Sequence, residues 1–166
     1  MKSKSFLILF FLVLVLGCET RKDNMPDQML SGKPSGKMII YQMLPRLFGN
    51  QVMVNKPFGT LEENGVGKFN DINENALKGL KRLGITHIWY TGIIEHAQLT
   101  DYSSMGIKGD DPDVVKGRAG SPYAIKDYYD VDPDLAESVP DRMKEFEALI
   151  ERTHGNGLNV IIQRGQ

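Results

Sequence analysis

The chain has 166 residues, 20 Lys and Arg against 21 Asp and Glu, and 41% hydrophobic residues. Ordinary apolar content excludes disorder throughout. A net charge of -1 without any long basic run leaves no cationic surface pattern of the kind that displaces counterions from nucleic acid, so no nucleic-acid partner is expected.

In chain order, Lys2 and Lys4 precede an unbroken apolar run from Phe6 to Leu16, followed by Gly17 and Cys18. Basic, apolar and small, in that order, is the pattern of a secretory signal, and a run this short falls below the ~20 residues that a membrane span needs. Residues 1–17 are therefore expected to be a signal peptide. Cys18 is the single cysteine, which excludes an internal disulfide. Val15-Leu16-Gly17-Cys18 resembles a bacterial lipobox, and that resemblance implies lipidation of Cys18, with Leu and a small residue being more usual at the first two of these positions. A plain cleaved signal in which Cys18 is incidental is the alternative. Two acyl chains anchor stably where one is marginal. The lipobox reading thus implies a membrane partner and a place in the cell envelope, periplasmic or at the cell surface. Residues 18–37 carry Pro26, Pro34, Gly32, Gly36 and Ser31 and read as a flexible tether behind the lipidated cysteine.

The globular part is expected from residue 38. Met38 to Met43 is an apolar run stopped by Pro45, which fits a buried strand. Arg46 to Phe69, with Pro57 and four glycines, reads as loop. Asp71 or Asn73 can cap a helix whose apolar face is Ala76, Leu77, Leu80 and Leu83, with Gly84 as its left-handed terminator. Ile85 to Tyr90 reads as a second strand. Thr91 to Val139 reads as a long, mostly irregular stretch, functional by its length, with Tyr123, Tyr128 and Tyr129 arguing for order in its second half. A helix from about Ser138, with Pro140 in its first turn and Met143, Phe146, Leu149 and Ile150 on its apolar face, ends at Gly155 and Gly157. Leu158 to Ile162 is a third strand. The order βαβαβ predicts an α/β fold with a parallel sheet, either a doubly wound open sheet or part of a closed barrel.

Chemical motifs are sparse. Gly65-Val66-Gly67 lacks the third glycine and the position of a dinucleotide turn, and no P-loop is present. Asp130-Val131-Asp132-Pro133-Asp134 starts like an EF-hand, but Leu135 stands where the sharp turn needs Gly, so these acids read as a solvated loop run and no metal site is expected. His87, within a strand, and His154, near a helix C-terminus, read as structural. His96, beside Glu95 just past the second strand, is where a barrel would place its active-site face, and it is a candidate ligand contact.

Four segments carry a family likeness. Ile40-Tyr41-Gln42-Met43-Leu44-Pro45-Arg46-Leu47-Phe48 resembles the first barrel strand of the α-amylase family, glycoside hydrolase family 13. Leu80 to Tyr90 resembles the end of its first helix and its second strand, Ser121 to Pro133 the segment ahead of its second helix, and Gly157 to Ile162 the opening of its third strand. The resemblance implies the first three strands of an incomplete (β/α)8 TIM barrel across residues 38–166. It also implies an enzyme acting with retention on α-glucans such as starch and maltooligosaccharides. The retaining pair of carboxyl groups and the family's Asp and Asn-His after the third strand are not matched, since Gln163 stands at that aspartate's position. No catalytic residue is therefore assigned, and the chain as written is expected to be truncated and inactive, with apolar faces and strand edges left open. A non-catalytic glucan-binding or structural envelope lipoprotein is the alternative. Tyr123 matches the family tyrosine that stacks on sugar, with Pro122 in place of the usual Gly. Asp127 helps hold the same loop. No cofactor is expected here, although calcium belongs to some intact members.

Lipidation gives a direct test. Replacing Cys18 by Ser is expected to abolish incorporation of a labelled fatty acid and to move the protein from the membrane to the soluble fraction. Unchanged labelling would assign the lipid elsewhere.

Overall fold

The computed structural model describes residues 36–163. The signal run, Cys18 and all but the end of the tether lie outside the described residues. Strand β1 (Ile40–Met43) leads into a single helical turn, α1 (Pro45–Phe48), and a second short turn, α2 (Leu61–Asn64). Helix α3 (Glu74–Arg82) precedes β2 (His87–Tyr90), β3 (Ile94–His96) and β4 (Ile125–Val131). Helix α4 (Arg142–Gly155) and β5 (Asn159–Ile162) complete the order.

Strands β1, β2 and β5 form a parallel sheet with β2 in the centre, Gln42, Trp89 and Ile161 sharing one register. The βαβαβ order predicted this sheet. Alternation then divides the residues between two faces. Tyr41, Met43, Ile88, Tyr90, Val160 and Ile162 join Leu77, Leu80, Phe146 and Leu149 of α3 and α4 in one core. Gln42, Trp89 and Ile161 fall on the opposite face. Phe69 packs on Phe146 with ring centroids 5.7 Å apart. Arg152 of α4 donates from Nε to the Ile72 carbonyl (2.8 Å) and from Nη2 to the Phe69 carbonyl (2.9 Å), so the helix is bonded to the turn ahead of α3. Tyr90 on β2 meets Thr153 on α4 through their hydroxyls at 2.8 Å. Burial pushes the Tyr90 phenol up to about 12, so it stays neutral and keeps its proton for hydrogen bonding.

Several expectations are corrected by the packing. Met38 and Ile39 are exposed and lie before β1. Asn73 alone caps α3, accepting from the Asn75 and Ala76 amides, whereas Asp71 accepts from the Lys68 amide and closes the preceding turn. Leu83 is 77% exposed. The helix ends at Arg82, Gly84 takes φ +85°, and the chain turns before a fourth apolar position can reach the core. Helix α4 starts at Arg142 because Pro140 sits in a 3-10 turn at Val139–Asp141, and Met143 in its first turn is exposed. The stretch 91–139 is largely irregular, as expected, but not without strands. Strands β3 and β4 pair antiparallel across it, with register shifts on both sides of Glu95. Nor is 46–69 all loop, since α1, α2 and a 3-10 turn at Phe69–Asp71 interrupt it.

Leu77 is fully buried between the sheet and α4. Leu77→Ala is expected to destabilise the chain by about 2–5 kcal/mol, read as a lower urea midpoint with an unchanged slope. A loss below about 1 kcal/mol would mean that this face is not a packed core.

Candidate functional site

The C-terminal ends of the three parallel strands open on a cleft of about 300 Å³. Gln42 and Leu44 enter it from β1, Thr91 from the end of β2 and Gln163 from the end of β5. Pro122 and Tyr123 close it from the loop ahead of β4. The strands run parallel, so their ends necessarily converge on one edge, and that geometry brings together residues far apart in sequence. Tyr123 is 66% exposed, so its ring is available to a ligand. Among the described residues the Gln163 Oε1 is buried and finds no hydrogen-bond partner. An orphaned buried acceptor is costly unless a donor arrives. Among the described residues the lining contains an aromatic ring, amides and a hydroxyl and no carboxylate.

His96 lies elsewhere. It is 3% exposed at the end of β3, and it is not part of the cleft lining. Its Nδ1 stands 3.0 Å from the Ile94 carbonyl and its Nε2 3.1 Å from the Ala119 carbonyl. Its Nε2 is also 3.8 Å from Asp132 Oδ2. Carbonyl oxygens only accept, so the imidazole ties the loop at 119 to β3. Gly120 completes that contact. Its φ is +72°, and a Cβ there would lie 1.7 Å from the Ala97 carbonyl oxygen. Asp127 accepts from the Tyr129 amide at 2.8 Å, a bond within β4.

The acids read as a solvated run are the main correction at this site. Asp132 and Asp134 are both 0% exposed. Arg46, in α1 just after β1, donates to Asp132 Oδ2 at 3.3 Å and to Asp134. Gln98 donates to Asp132 Oδ1 at 3.2 Å, as does the Asp134 amide at 3.0 Å. Tyr102 donates to Asp134 Oδ1 at 2.8 Å. Lys68 caps the same turn through the carbonyls of Asp134 and Ala136. Asp130, just before, is gripped by Arg142 of α4, Nε to Oδ1 at 2.7 Å with a second bond from Nη2. Among the described residues there is no group of three or more His, Cys, Asp and Glu side chains placed to hold a metal ion. The Asp132–Asp134 pair does not fit calcium, because arginine, amide and phenol donors already engage its oxygens.

Burial raises the Asp132 carboxyl above the usual aspartate range, and the Asp134 charge adds to this, while Arg46 and His96 pull it down. A carboxyl raised in the folded state stabilises the fold most below its unfolded pKa, and that contribution is lost as pH rises through the folded value. Asp132→Asn is expected to flatten the fall in urea midpoint from about pH 4 to about pH 7. An unchanged slope would place the proton elsewhere. Arg46→Met leaves two buried carboxylates without their cation and is expected to cost about 3–5 kcal/mol.

No family model matches the chain, and no curated protein matches it. Solved structures do align with it. A trehalose-6-phosphate hydrolase from Bacillus licheniformis is 25% identical, with 77% of this chain and 17% of that chain covered and a TM-score of 0.46. A maltogenic alpha-amylase from Thermotoga neapolitana is 24% identical, with 75% and 22% covered and a TM-score of 0.46. A debranching enzyme from Nostoc punctiforme is 20% identical, with 75% and 23% covered and a TM-score of 0.45. The chain spans about a fifth of the length of these solved enzymes.

Proposed function

We propose that residues 38–163 are the sugar-binding opening of an α-amylase-type glycoside hydrolase domain acting on α-glucans, carried on a lipid-anchored envelope protein. The observation that supports this most is the cleft itself. An exposed Tyr123 ring and the Gln163 amide oxygen, unpartnered among the described residues, line one cleft at the C-terminal ends of parallel strands. A pyranose offers an apolar face to the ring and hydroxyl donors to the amide, so the pair suits one sugar residue. The four family-like segments include the ends of β1, β2 and β5 and the Tyr123 loop, which are the parts that build this cleft.

The role of these residues is binding and orientation. Retaining hydrolysis needs two carboxyl groups about 5 Å apart, and none lines this cleft. The exposed Tyr123 ring and the free amide oxygen suit equally a second reading, a glucan-binding protein without chemistry of its own. Anchoring through Cys18 would hold either form at a membrane, and the Cys18→Ser variant addresses it.

Maltooligosaccharide binding by the full chain, followed by calorimetry, tests the cleft. Tyr123→Ala is expected to weaken binding about tenfold, ~1.4 kcal/mol, and Gln163→Ala by a smaller factor. Equal binding by both variants and the parent chain, or no binding by the parent, would overturn the assignment. Release of reducing sugar by the parent chain, abolished with the binding, would exclude the purely binding reading.

A further inference from the structure

A second, larger cavity of about 610 Å³ lies between the segment that runs from α1 to α2 and the loop at residues 116–119. Its lining includes four cationic side chains, Arg46, Lys56, Lys116 and Arg118, and one carboxylate, Asp134. Arg46 and Asp134 satisfy each other, and Lys56 is taken by Glu63. Arg118 and Lys116 remain. Among the described residues neither forms an ion pair, the Arg118 Nε is buried with no hydrogen-bond partner, and the acids that feel the Arg118 charge, Glu62 and Glu63, are exposed to water. A guanidinium is always charged, and its Nε and Nη groups form a fork matched to two oxygens of one anion.

The walls are held in place. The Leu99 amide donates to the Arg118 carbonyl at 2.8 Å, and His96 engages the next carbonyl, Ala119, at 3.1 Å. Opposite, Asn64 clamps the Lys56 backbone on both sides, at 2.8 and 2.9 Å, and Thr60 and Glu63 form a capping box. Phe58 projects from this wall, 71% exposed and at φ +55°. A bulky residue in the left-handed region is an unfavourable conformation that the surrounding bonds sustain. An exposed aromatic held under strain beside an unsatisfied arginine fits a ligand with one flat apolar face and one anionic group.

We propose that this cavity is a phosphate-binding site, in which Arg118 and Lys116 hold a phosphomonoester or phosphodiester group and Phe58 packs on the moiety that carries it. The site is separate from the Tyr123 cleft and does not rest on the glucan reading. Its phosphate can come from a soluble sugar phosphate or from a lipid headgroup.

The isotopically labelled full chain, titrated with inorganic phosphate, glucose 6-phosphate and glucose, distinguishes the outcomes. Both phosphate probes are expected to give saturable amide shifts at Phe58 and residues 116–119, weakened by salt, and glucose none there. Arg118→Gln is expected to weaken glucose 6-phosphate binding about tenfold. Lys116→Gln, at an exposed position, should weaken it less and leave the fold untouched. In the Cys18→Ser background, phosphatidylglycerol vesicles that bring down the protein through Arg118 would assign the headgroup as the source. Displacement by glucose 6-phosphate would assign the soluble one. Either result supports the site. Absence of saturable shifts with every phosphate probe and of vesicle binding, or binding unchanged in both variants, would overturn it. Maltooligosaccharide binding retained in Arg118→Gln would show that the two sites fail or succeed independently.

Discussion

Two carboxylates two residues apart, Asp132 and Asp134, are removed from water entirely, and a single guanidinium, that of Arg46, answers both. Charges buried this deeply persist only when paired and hydrogen-bonded. Each remaining lone pair recruits a donor from a different part of the chain: Gln98 and Tyr102 from beyond β3, and backbone amide from the turn itself. Helix α1, the stretch after β3 and the turn after β4 are thereby joined at one point. The route of a long stretch with little regular structure is set by the cost of leaving any of these groups unsatisfied.

Both sites depend on that junction. The Tyr123 loop leads directly into β4, which ends on Asp130 and the buried pair, with Arg142 fastening the same end to α4. Arg118 sits next to the carbonyl that His96 engages, and His96 faces Asp132. A loop so fixed can present a side chain without closing over it. The two sites differ in chemistry: ring, amide and hydroxyl line the cleft at the strand ends, whereas unpaired cations line the cavity beside α2. Neutral polar groups suit sugar hydroxyls, and the cations suit an anion.

The parallel strands and both long helices were legible from local pattern, because apolar residues at strand or helix spacing must face a core wherever that core lies. Leu83 and Met143 follow the same spacing and are exposed, since the spacing does not say where a helix starts or stops. Strands β3 and β4 are not legible in the sequence for a different reason. Glu95 and Asp127 are register partners about thirty residues apart, and bulges interrupt the alternation that would announce a strand. His96 follows the second strand in sequence, yet its ring nitrogens face backbone carbonyls inside the protein.

By itself the sequence determined the βαβαβ order, the family-like segments and the place of Tyr123 within one of them, because these depend on residue type and near neighbours. Only the tertiary structure decided what the charged residues do. Asp-x-Asp in a loop reads the same whether water or Arg46, 86 and 88 residues away, receives it. That Tyr123 and Gln163 line one cleft, and that Arg118 forms no ion pair among the described residues, are likewise long-range facts. Desolvation belongs to the assembled fold, and the fold alone determines which polar groups are satisfied and which are left open for a ligand.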